Sequence, residues 1–206
     1  MEKEARKSQT TIFIILAILI AVGVGISAYV LNENKKTASK EFFSSSEIEP
    51  VLKNIETGIL DCSQDTSEKA LEKIGIQGGY YNKPKYYFDM QWAFIPYYYY
   101  EGEILMPSKS DIDNELSLFI DNNIENCIDK IKFQNFLLTY SKPNTKTIIS
   151  PGKVTFNTNL PVKIEHEGNK IDFQLDKHTL ILNSSLNEII EVVDYITNSH
   201  KENPNL

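Results

Sequence analysis

The two cysteines of the chain, Cys62 and Cys127, are the residues whose chemistry the sequence indicates most directly. Both lie in segments where apolar residues recur every three to four positions, as on one face of a helix. In an oxidising compartment such a pair is expected to form one disulfide, which would close a loop of about 65 residues and stabilise the fold by about 4 kcal/mol. Two buried free thiols would fit the same positions. A catalytic cysteine would need a neighbouring base, and the adjacent sequence offers none.

The three histidines do not form a predicted metal site. They lie in different predicted elements, and none has another histidine or a cysteine at the spacing of zinc ligands. They are His166, His178 and His200. The sequence also lacks the nucleophile elbow of hydrolases, a phosphate-binding loop and a dinucleotide-binding fingerprint. We therefore predict no catalytic residue, no metal and no cofactor, and expect that the protein is not an enzyme.

Three acidic residues open the second predicted helix. Asp111, Asp113 and Glu115 alternate along the chain as calcium ligands do, but the glycine and the distal glutamate of an EF-hand loop are missing. Carboxylates also stabilise the positive N-terminal end of a helix. We expect this second role and not calcium binding.

Residues 80–100 form the most unusual stretch, with eight tyrosines, two phenylalanines and the single tryptophan. Pro84 and Pro96 break any helix there, so an irregular connection with short strands is predicted. Tyrosine and tryptophan give a large contact area at a low cost in side-chain entropy. The predicted binding surface, for a sugar or a neighbouring subunit, consists of Trp92, Tyr97, Tyr98, Tyr99 and Tyr100. The alternative is that these rings cover the helices as an ordinary small core.

The N-terminal part of the chain contains a segment long enough to cross a bilayer. From Ser8 to Asn32 the sequence has no charged residue and is rich in Ile, Leu, Val and Ala. A membrane-spanning helix needs roughly 20 apolar residues, so residues 9–32 are predicted to form one in contact with membrane lipid. Small residues four positions apart, such as Ala21 and Gly25, would let the helices of like subunits approach closely.

The start of this segment resembles a known family. Residues 7–14, Lys-Ser-Gln-Thr-Thr-Ile-Phe-Ile, are similar to the opening of archaeal type IV pilin-like proteins with class III signal peptides. In that family a short basic leader is cut just before a glutamine, and the resemblance implies cleavage between Ser8 and Gln9. It covers only the N-terminal part of the chain. Gly or Ala is commoner in the family at the position of Ser8. Many members have a glutamate at the position of Phe13, and its absence here weakens the implied filament assembly more than the implied cleavage.

Two other fates of the apolar segment stay open. It could remain on the chain as an uncleaved signal anchor. A secretory signal peptide usually has an apolar region of 7–15 residues that ends in a small-x-small cleavage site. This segment is longer, and its nearest candidate site, residues 25–27, is a poor match.

The orientation in the membrane does not follow from charge counts alone. Three basic residues precede the apolar segment and three follow it closely, so the positive-inside rule gives no preference. The tail of residues 1–8 is too short to fold, and the two cysteines suit an oxidising compartment. We predict a single-pass cell-membrane protein with a cytoplasmic N-terminus and an outside C-terminal domain. The sequon Asn-Ser-Ser at Asn183 is a candidate glycosylation site consistent with that location.

The charge of the predicted outer part bears on its partners. Of the 21 basic and 28 acidic residues, three and two respectively precede Asn32, so the remainder carries a net charge of −8. An acidic surface repels phosphate backbones. Nucleic acid is therefore excluded as an expected partner.

Hydrophobic spacing predicts an α+β fold. Ser46 with Glu49 has the signature of a capping box, and helical spacing continues to Ile74, before glycines at 75, 78 and 79 end the helix. A second amphipathic helix follows Ser108. From residue 135 apolar and polar residues alternate, which predicts an antiparallel meander of about four strands. A second capping box, Ser185 with Glu188, opens a C-terminal helix. Its apolar side would hold Leu186, Ile189, Ile190, Val193 and Ile196.

These predictions divide the chain into five parts. They are a leader or cytoplasmic tail (1–8), a transmembrane helix (9–32), a stalk or linker (33–46), an extracytoplasmic α+β domain (47–198) and a frayed tail (199–206). The expected function is that of a non-enzymatic, membrane-tethered cell-surface protein, and the family resemblance implies a pilin-like subunit. The alternative is an anchored binding module that uses the tyrosine-rich loop.

Overall fold

The computed structural model describes residues 48–133 and 135–203, which form an α+β fold with antiparallel sheets. The helices are α1 (Glu49–Ile76), α2 (Lys109–Ile128) and α3 (Leu186–Glu202). Four short strands lie between α1 and α2: β1 (Tyr87–Asp89), β2 (Phe94–Pro96), β3 (Tyr99–Tyr100) and β4 (Glu103–Ile104). After α2 come β5 (Phe136–Tyr140), β6 (Asn144–Ser150), β7 (Lys153–Asn159), β8 (Pro161–His166), β9 (Asn169–Gln174), a 3-10 turn (Leu175–Lys177) and β10 (Leu180–Asn183).

Several predictions fall on residues 1–47, outside the described part of the chain. These are the leader with its cleavage between Ser8 and Gln9, the transmembrane helix, the stalk and the N-cap at Ser46. Among the described residues, no helix combines the length and the apolar content that crossing a membrane requires.

The first helix, α1, is continuous over 28 residues. Pro50 lies in its first turn, where the missing N–H breaks no helical hydrogen bond. One face is buried, and Ile55, Ile59 and Ile74 have no exposed surface. The helix runs through Gly75, a predicted stop, and ends at Ile76 before two glycines with positive φ. Left-handed glycines of this kind are common just after a helix.

The predicted second helix is confirmed as α2. Its capping box joins Ser108 and Asp111: the Asp111 N–H donates to the Ser108 hydroxyl (3.2 Å), and the Ser108 N–H donates to the Asp111 carboxylate (2.9 Å). Every fourth residue on its inner face is buried. These residues are Ile112, Leu116, Ile120, Ile124 and Ile128.

The predicted four-stranded meander is wrong in number and arrangement. The strands after α2 form two three-stranded antiparallel sheets, in the orders β5-β8-β9 and β10-β7-β6. Strands β7 and β8 follow each other with Leu160 alone between them, yet they belong to different sheets. Because Leu160 is fully buried, the alternation of apolar residues continues without a break across the change of sheet.

The two predicted tight turns are confirmed. Pro151 and Gly152 join β6 to β7, and Glu167 and Gly168 join β8 to β9. Both residues of the second turn have positive φ, +48° and +79°. A two-residue hairpin with φ above zero at both positions matches the right-handed twist of the strands.

Helix α2 covers the free edge of β6. Side chains at every fourth helical position meet the backbone at every second strand position, because four helical residues rise about 6 Å and two strand residues about 6.6 Å. The Ile149 N–H donates to Asp113 (2.8 Å), and the Thr147 N–H donates to Ser117 (3.1 Å). Asp121 faces Thr145 in the same way, although its Oδ1 accepts no hydrogen bond. An exposed strand edge invites pairing with another chain, and this edge is occupied.

The last helix, α3, starts where predicted but differs in two respects. The Ser185 side chain makes no capping hydrogen bond. Instead, Glu188 accepts a hydrogen bond from the Gly152 N–H (3.0 Å), which attaches the helix to the β6–β7 turn. Of the predicted apolar side, Ile189 and Ile196 are 56% and 58% exposed. The helix also continues to Glu202, beyond residue 199, where the predicted tail begins.

Candidate binding surface

A short hairpin formed by β1 and β2 presents the tryptophan. The loop closes through a hydrogen bond from the Met90 N–H to the Ala93 carbonyl (2.9 Å). Asp89 accepts a second from the Gln91 N–H (2.8 Å), which holds Gln91 at a positive φ of +72°. A non-glycine residue at such a φ persists only where its surroundings hold it. The backbone on both sides of Trp92 is therefore fixed.

Asp89, at the loop end of the hairpin, also forms an ion pair with a residue that precedes β1. Its carboxylate lies 3.0 Å from the Lys83 ammonium. This hydrogen bond raises the pKa of Lys83 and lowers the pKa of Asp89. Both side chains are half exposed, so the pair contributes little to stability and serves mainly to fix geometry.

Large apolar side chains project from this hairpin into solvent. Trp92 is 67% exposed, Phe88 56% and Ile95 49%. Phe94 points the other way, is 2% exposed, and packs edge-on against Tyr87 with 5.8 Å between ring centroids. The hairpin thus has one ring anchored in the domain and a set of apolar side chains left without cover.

Three tyrosines form a stack beside the hairpin. The Tyr100 ring lies between Tyr86 (4.7 Å between centroids, 23° between planes) and Tyr97 (5.8 Å, 11°). The Lys85 ammonium lies 4.7 Å from the centre of the Tyr86 ring, which is cation–π distance. Tyr97 is 41% exposed and forms the outer end of the stack.

Tyr98 and Tyr99, two of the predicted surface residues, contact the domain. The Tyr98 hydroxyl donates to the Gly78 carbonyl at the end of α1 (2.8 Å), and burial raises the pKa of this tyrosine. Tyr99 packs edge-on against His200 of α3, with 5.3 Å between centroids. Of the five predicted residues, Trp92 and Tyr97 are exposed and Tyr100 lies within the stack. Tyr98 and Tyr99 attach the segment to the rest of the domain.

An open pocket of about 340 Å³ lies between the end of α1 and the β1–β2 hairpin. Five of its lining residues come from outside the predicted surface and its hairpin: Lys73, Gln77, Tyr81, Asn82 and Lys83. The other four lining residues belong to the hairpin and are Gln91, Trp92, Ala93 and Phe94. Among the lining residues, the sequence pattern indicated only Trp92 and the neighbouring aromatic rings. The other positions could not be predicted, because they come together only when α1 and the hairpin are folded.

The buried amide of Gln77 forms part of the pocket wall. Its side chain is 5% exposed, and its Oε1 accepts no hydrogen bond from the described residues. Glu115 of α2 fixes the neighbouring wall by accepting hydrogen bonds from the backbone N–H groups of Tyr81 (2.8 Å) and Asn82 (3.3 Å). Buried acceptors without a donor are rare in folded proteins because each costs free energy.

The structure brings Cys62 and Cys127 together, as the sequence predicts. Their sulfur atoms are 2.00 Å apart and their Cα atoms 5.6 Å apart. The bridge joins the middle of α1 to the end of α2. The residues that form the pocket and the tyrosine stack, 73–100, all lie within the loop that it closes.

The acidic residues at the start of α2 have different roles from the one expected. Only Asp111 acts at the end of the helix, where its hydrogen bonds with Ser108 lower its pKa. Asp113 and Glu115 instead accept backbone hydrogen bonds from β6 and from residues 81–82. The physical reason is that the carboxylates of Asp113 and Glu115 lie within hydrogen-bond distance of neighbouring backbone N–H groups, which they accept from instead of the N–H groups at the helix end. Across residues 48–133 and 135–203, no group of three His, Cys, Asp or Glu residues is arranged to hold a metal ion.

The histidines each lie against an aromatic ring, in three separate places. His166 stacks on Phe136 (4.2 Å) and His178 on Phe173 (5.4 Å), while His200 meets Tyr99. Asn183, the predicted glycosylation site, is exposed at the end of β10.

Comparison with protein-family models, curated proteins and solved structures finds no match to this chain.

Proposed function

We propose that the protein is a non-enzymatic, single-pass protein of the cell membrane whose outer domain binds a partner through residues 80–104. The observation that carries the binding role is the exposure of Phe88, Trp92 and Ile95 on one fixed hairpin. Apolar side chains clustered at the surface mark contact sites, and tryptophan is enriched among the residues that dominate binding energy.

The membrane location is supported by the sequence. The uncharged segment from Ser8 to Asn32 has the length and composition of a membrane-spanning helix. The pairing of Cys62 with Cys127 supports an outside position for the domain, since disulfides persist in oxidising compartments. The N-terminus would then be cytoplasmic.

Site-specific photocrosslinking tests the binding role. A photoreactive phenylalanine analogue is placed at Trp92 in the full-length protein in its native membrane, and in a control at Asp61, which is exposed on α1. We expect a discrete crosslinked product from position 92 and none from position 61. Equal labelling at both positions would contradict the proposal. Protease digestion of intact cells tests the location separately, because an outside domain is cut without lysis.

A pilin-like subunit is the second candidate. It is supported by the resemblance of residues 7–14 to the opening of archaeal type IV pilin-like proteins. Mass spectrometry of the mature N-terminus tests it: a chain that starts at Gln9 agrees with this route. A chain that starts at Met1 or Glu2 contradicts it and leaves the uncleaved anchor.

A further inference from the structure

We infer that the pocket between the end of α1 and the β1–β2 hairpin is a saccharide-binding subsite. The inference deepens the proposed function and rests on it in one respect, since the pocket must face the outside to meet a glycan. It names the chemical class of the ligand, which the exposed aromatic residues alone do not.

The pocket combines a flat apolar face with polar groups around it. Trp92 supplies the exposed face, and the Tyr81 and Phe94 rings lie nearby in the wall. A pyranose ring has one face made of C–H groups that can lie on an indole, and a rim of hydroxyls that needs donors and acceptors. Aromatic side chains with one apolar surface and polar neighbours suit such a ligand.

The remaining wall supplies the polar partners that a sugar needs. Five of the nine lining residues are amides or lysines. An amide side chain both donates and accepts, as a sugar hydroxyl does, and a lysine donates. The five are Lys73, Gln77, Asn82, Lys83 and Gln91.

Gln77 provides the strongest support for a polar ligand in this pocket. Its Oε1 is buried and accepts no hydrogen bond within the described part of the chain. Only a donor can satisfy this oxygen, and a rotation of the side-chain amide towards the pocket would let a sugar hydroxyl supply one. A purely apolar ligand would leave it unsatisfied.

The pocket wall is held before any ligand arrives. Asp89 fixes both Lys83 and the backbone of Gln91, and Glu115 fixes the backbone of Tyr81 and Asn82. Preorganised walls reduce the entropy lost when a ligand binds. This matters for a small ligand that makes few contacts.

Other ligand classes fit less well. An acyl chain needs a predominantly apolar lining, and most of this lining is polar. A nucleic acid would be repelled by the net charge of −8 carried by the chain from Asn32 onward. A saccharide requires neither an apolar tunnel nor a basic surface.

The chain offers a direct reporter for the test, because Trp92 is its single tryptophan. The full-length protein is purified in a zwitterionic detergent without a sugar head group, and Trp92 emission is followed while each sugar is added to about 50 mM. The sugars are methyl glucoside, methyl galactoside, methyl mannoside, N-acetylglucosamine and glucuronate. We expect a saturable change with at least one, with a Kd in the low millimolar range typical of a ligand of about a dozen heavy atoms.

Matched variants locate the site. Gln77→Leu should weaken binding at least fivefold, whereas Gln64→Leu, at an exposed position of the same helix, should leave the Kd unchanged. Trp92→Ala removes the reporter, so its binding is measured by saturation-transfer NMR and should be lost. Tyr195→Ala, which removes a ring that is 73% exposed on α3 and lies outside the pocket, should bind as the unaltered protein does. A cooperative melting transition, followed by circular dichroism, verifies that each variant is folded.

Two results would overturn the inference. The first is that no sugar in the panel changes Trp92 emission in a saturable way. The second is that Gln77→Leu and Gln64→Leu, both folded, bind equally well. In either case a crosslink from position 92 in membranes would still support the proposed function, so the two failures are distinguishable.

Discussion

Asp113 on α2 accepts a hydrogen bond from the backbone N–H of Ile149 on β6, with 2.8 Å between the two atoms. The carboxylate thus takes the place of a neighbouring strand at the edge of the sheet. Asp113→Ala would leave the N–H of a partly buried strand without an acceptor, and we expect a loss of about 1–3 kcal/mol in the free energy of unfolding. Urea denaturation measures it.

The control for that variant is Asp61→Ala on α1, where the aspartate is exposed. A surface substitution of this kind usually changes stability by less than about 0.5 kcal/mol. If the two variants lose the same stability, the contact between Asp113 and β6 is not important for the fold.

Burial raises the pKa of Asp121 above its ordinary value of 3.8, despite hydrogen bonding with Thr145. An acid with a higher pKa in the folded chain than in the unfolded chain stabilises the fold at low pH. That contribution is lost as the pH rises through the folded-state pKa. We therefore expect the stability of Asp121→Asn, relative to that of the unaltered protein, to increase as the pH rises from about 4 to about 7. Urea denaturation at a series of pH values measures this difference.

Asp111 provides the opposite control. Its pKa is lowered by hydrogen bonds with Ser108, so its contribution is present above the unfolded-state pKa and is lost as the pH falls. Asp111→Asn should therefore lose stability relative to the unaltered protein as the pH rises from about 2 to about 5. Identical pH trends for the two variants would contradict the assignment of either environment.

Removal of the bridge should destabilise the domain without rearranging it. The loop between Cys62 and Cys127 spans 65 residues, for which the chain-entropy model gives about 4 kcal/mol. The double variant Cys62→Ala/Cys127→Ala should unfold at a correspondingly lower urea concentration while its far-ultraviolet circular dichroism is preserved. A reducing agent should lower the stability of the unaltered protein by a similar amount and leave the double variant unaffected.

Two adjacent tyrosines should respond differently to the loss of a hydroxyl. Tyr98→Phe removes the hydrogen bond to the Gly78 carbonyl (2.8 Å) in a partly buried site, so we expect a cost of about 1 kcal/mol. Tyr97→Phe alters a ring that is 41% exposed and should change stability by less than about 0.5 kcal/mol. Thermal denaturation of both variants separates the tyrosine that anchors the segment from the one that faces solvent.

Local patterns predicted the helices and the tight turns because these depend on neighbouring residues. The start of α2 was predicted from Ser108 and the apolar spacing that follows it, and the β8–β9 turn from Glu167 and Gly168. The second predicted box, at Ser185 and Glu188, failed because a distant backbone group, the Gly152 N–H, takes the glutamate. A local signature cannot reveal a partner 36 residues away.

The division into two sheets could not be predicted for a related reason. The alternation of buried residues runs through Leu160 without a change of period, so strand pairing there depends on contacts far along the chain. The pocket is similar: Gln77 appears in the sequence as a polar residue near a helix end. Its burial and its place in the wall depend on the β1–β2 hairpin folding over it.

The link between Cys62 and Cys127 also determines what a break in the polypeptide would do. Residues 80–107, with their exposed rings, lie between the two bridged positions, so a protease that cut there would produce two fragments still held together by sulfur. On a gel run without reductant the nicked molecule would migrate as one species. Its damage would become visible only when the bridge is opened.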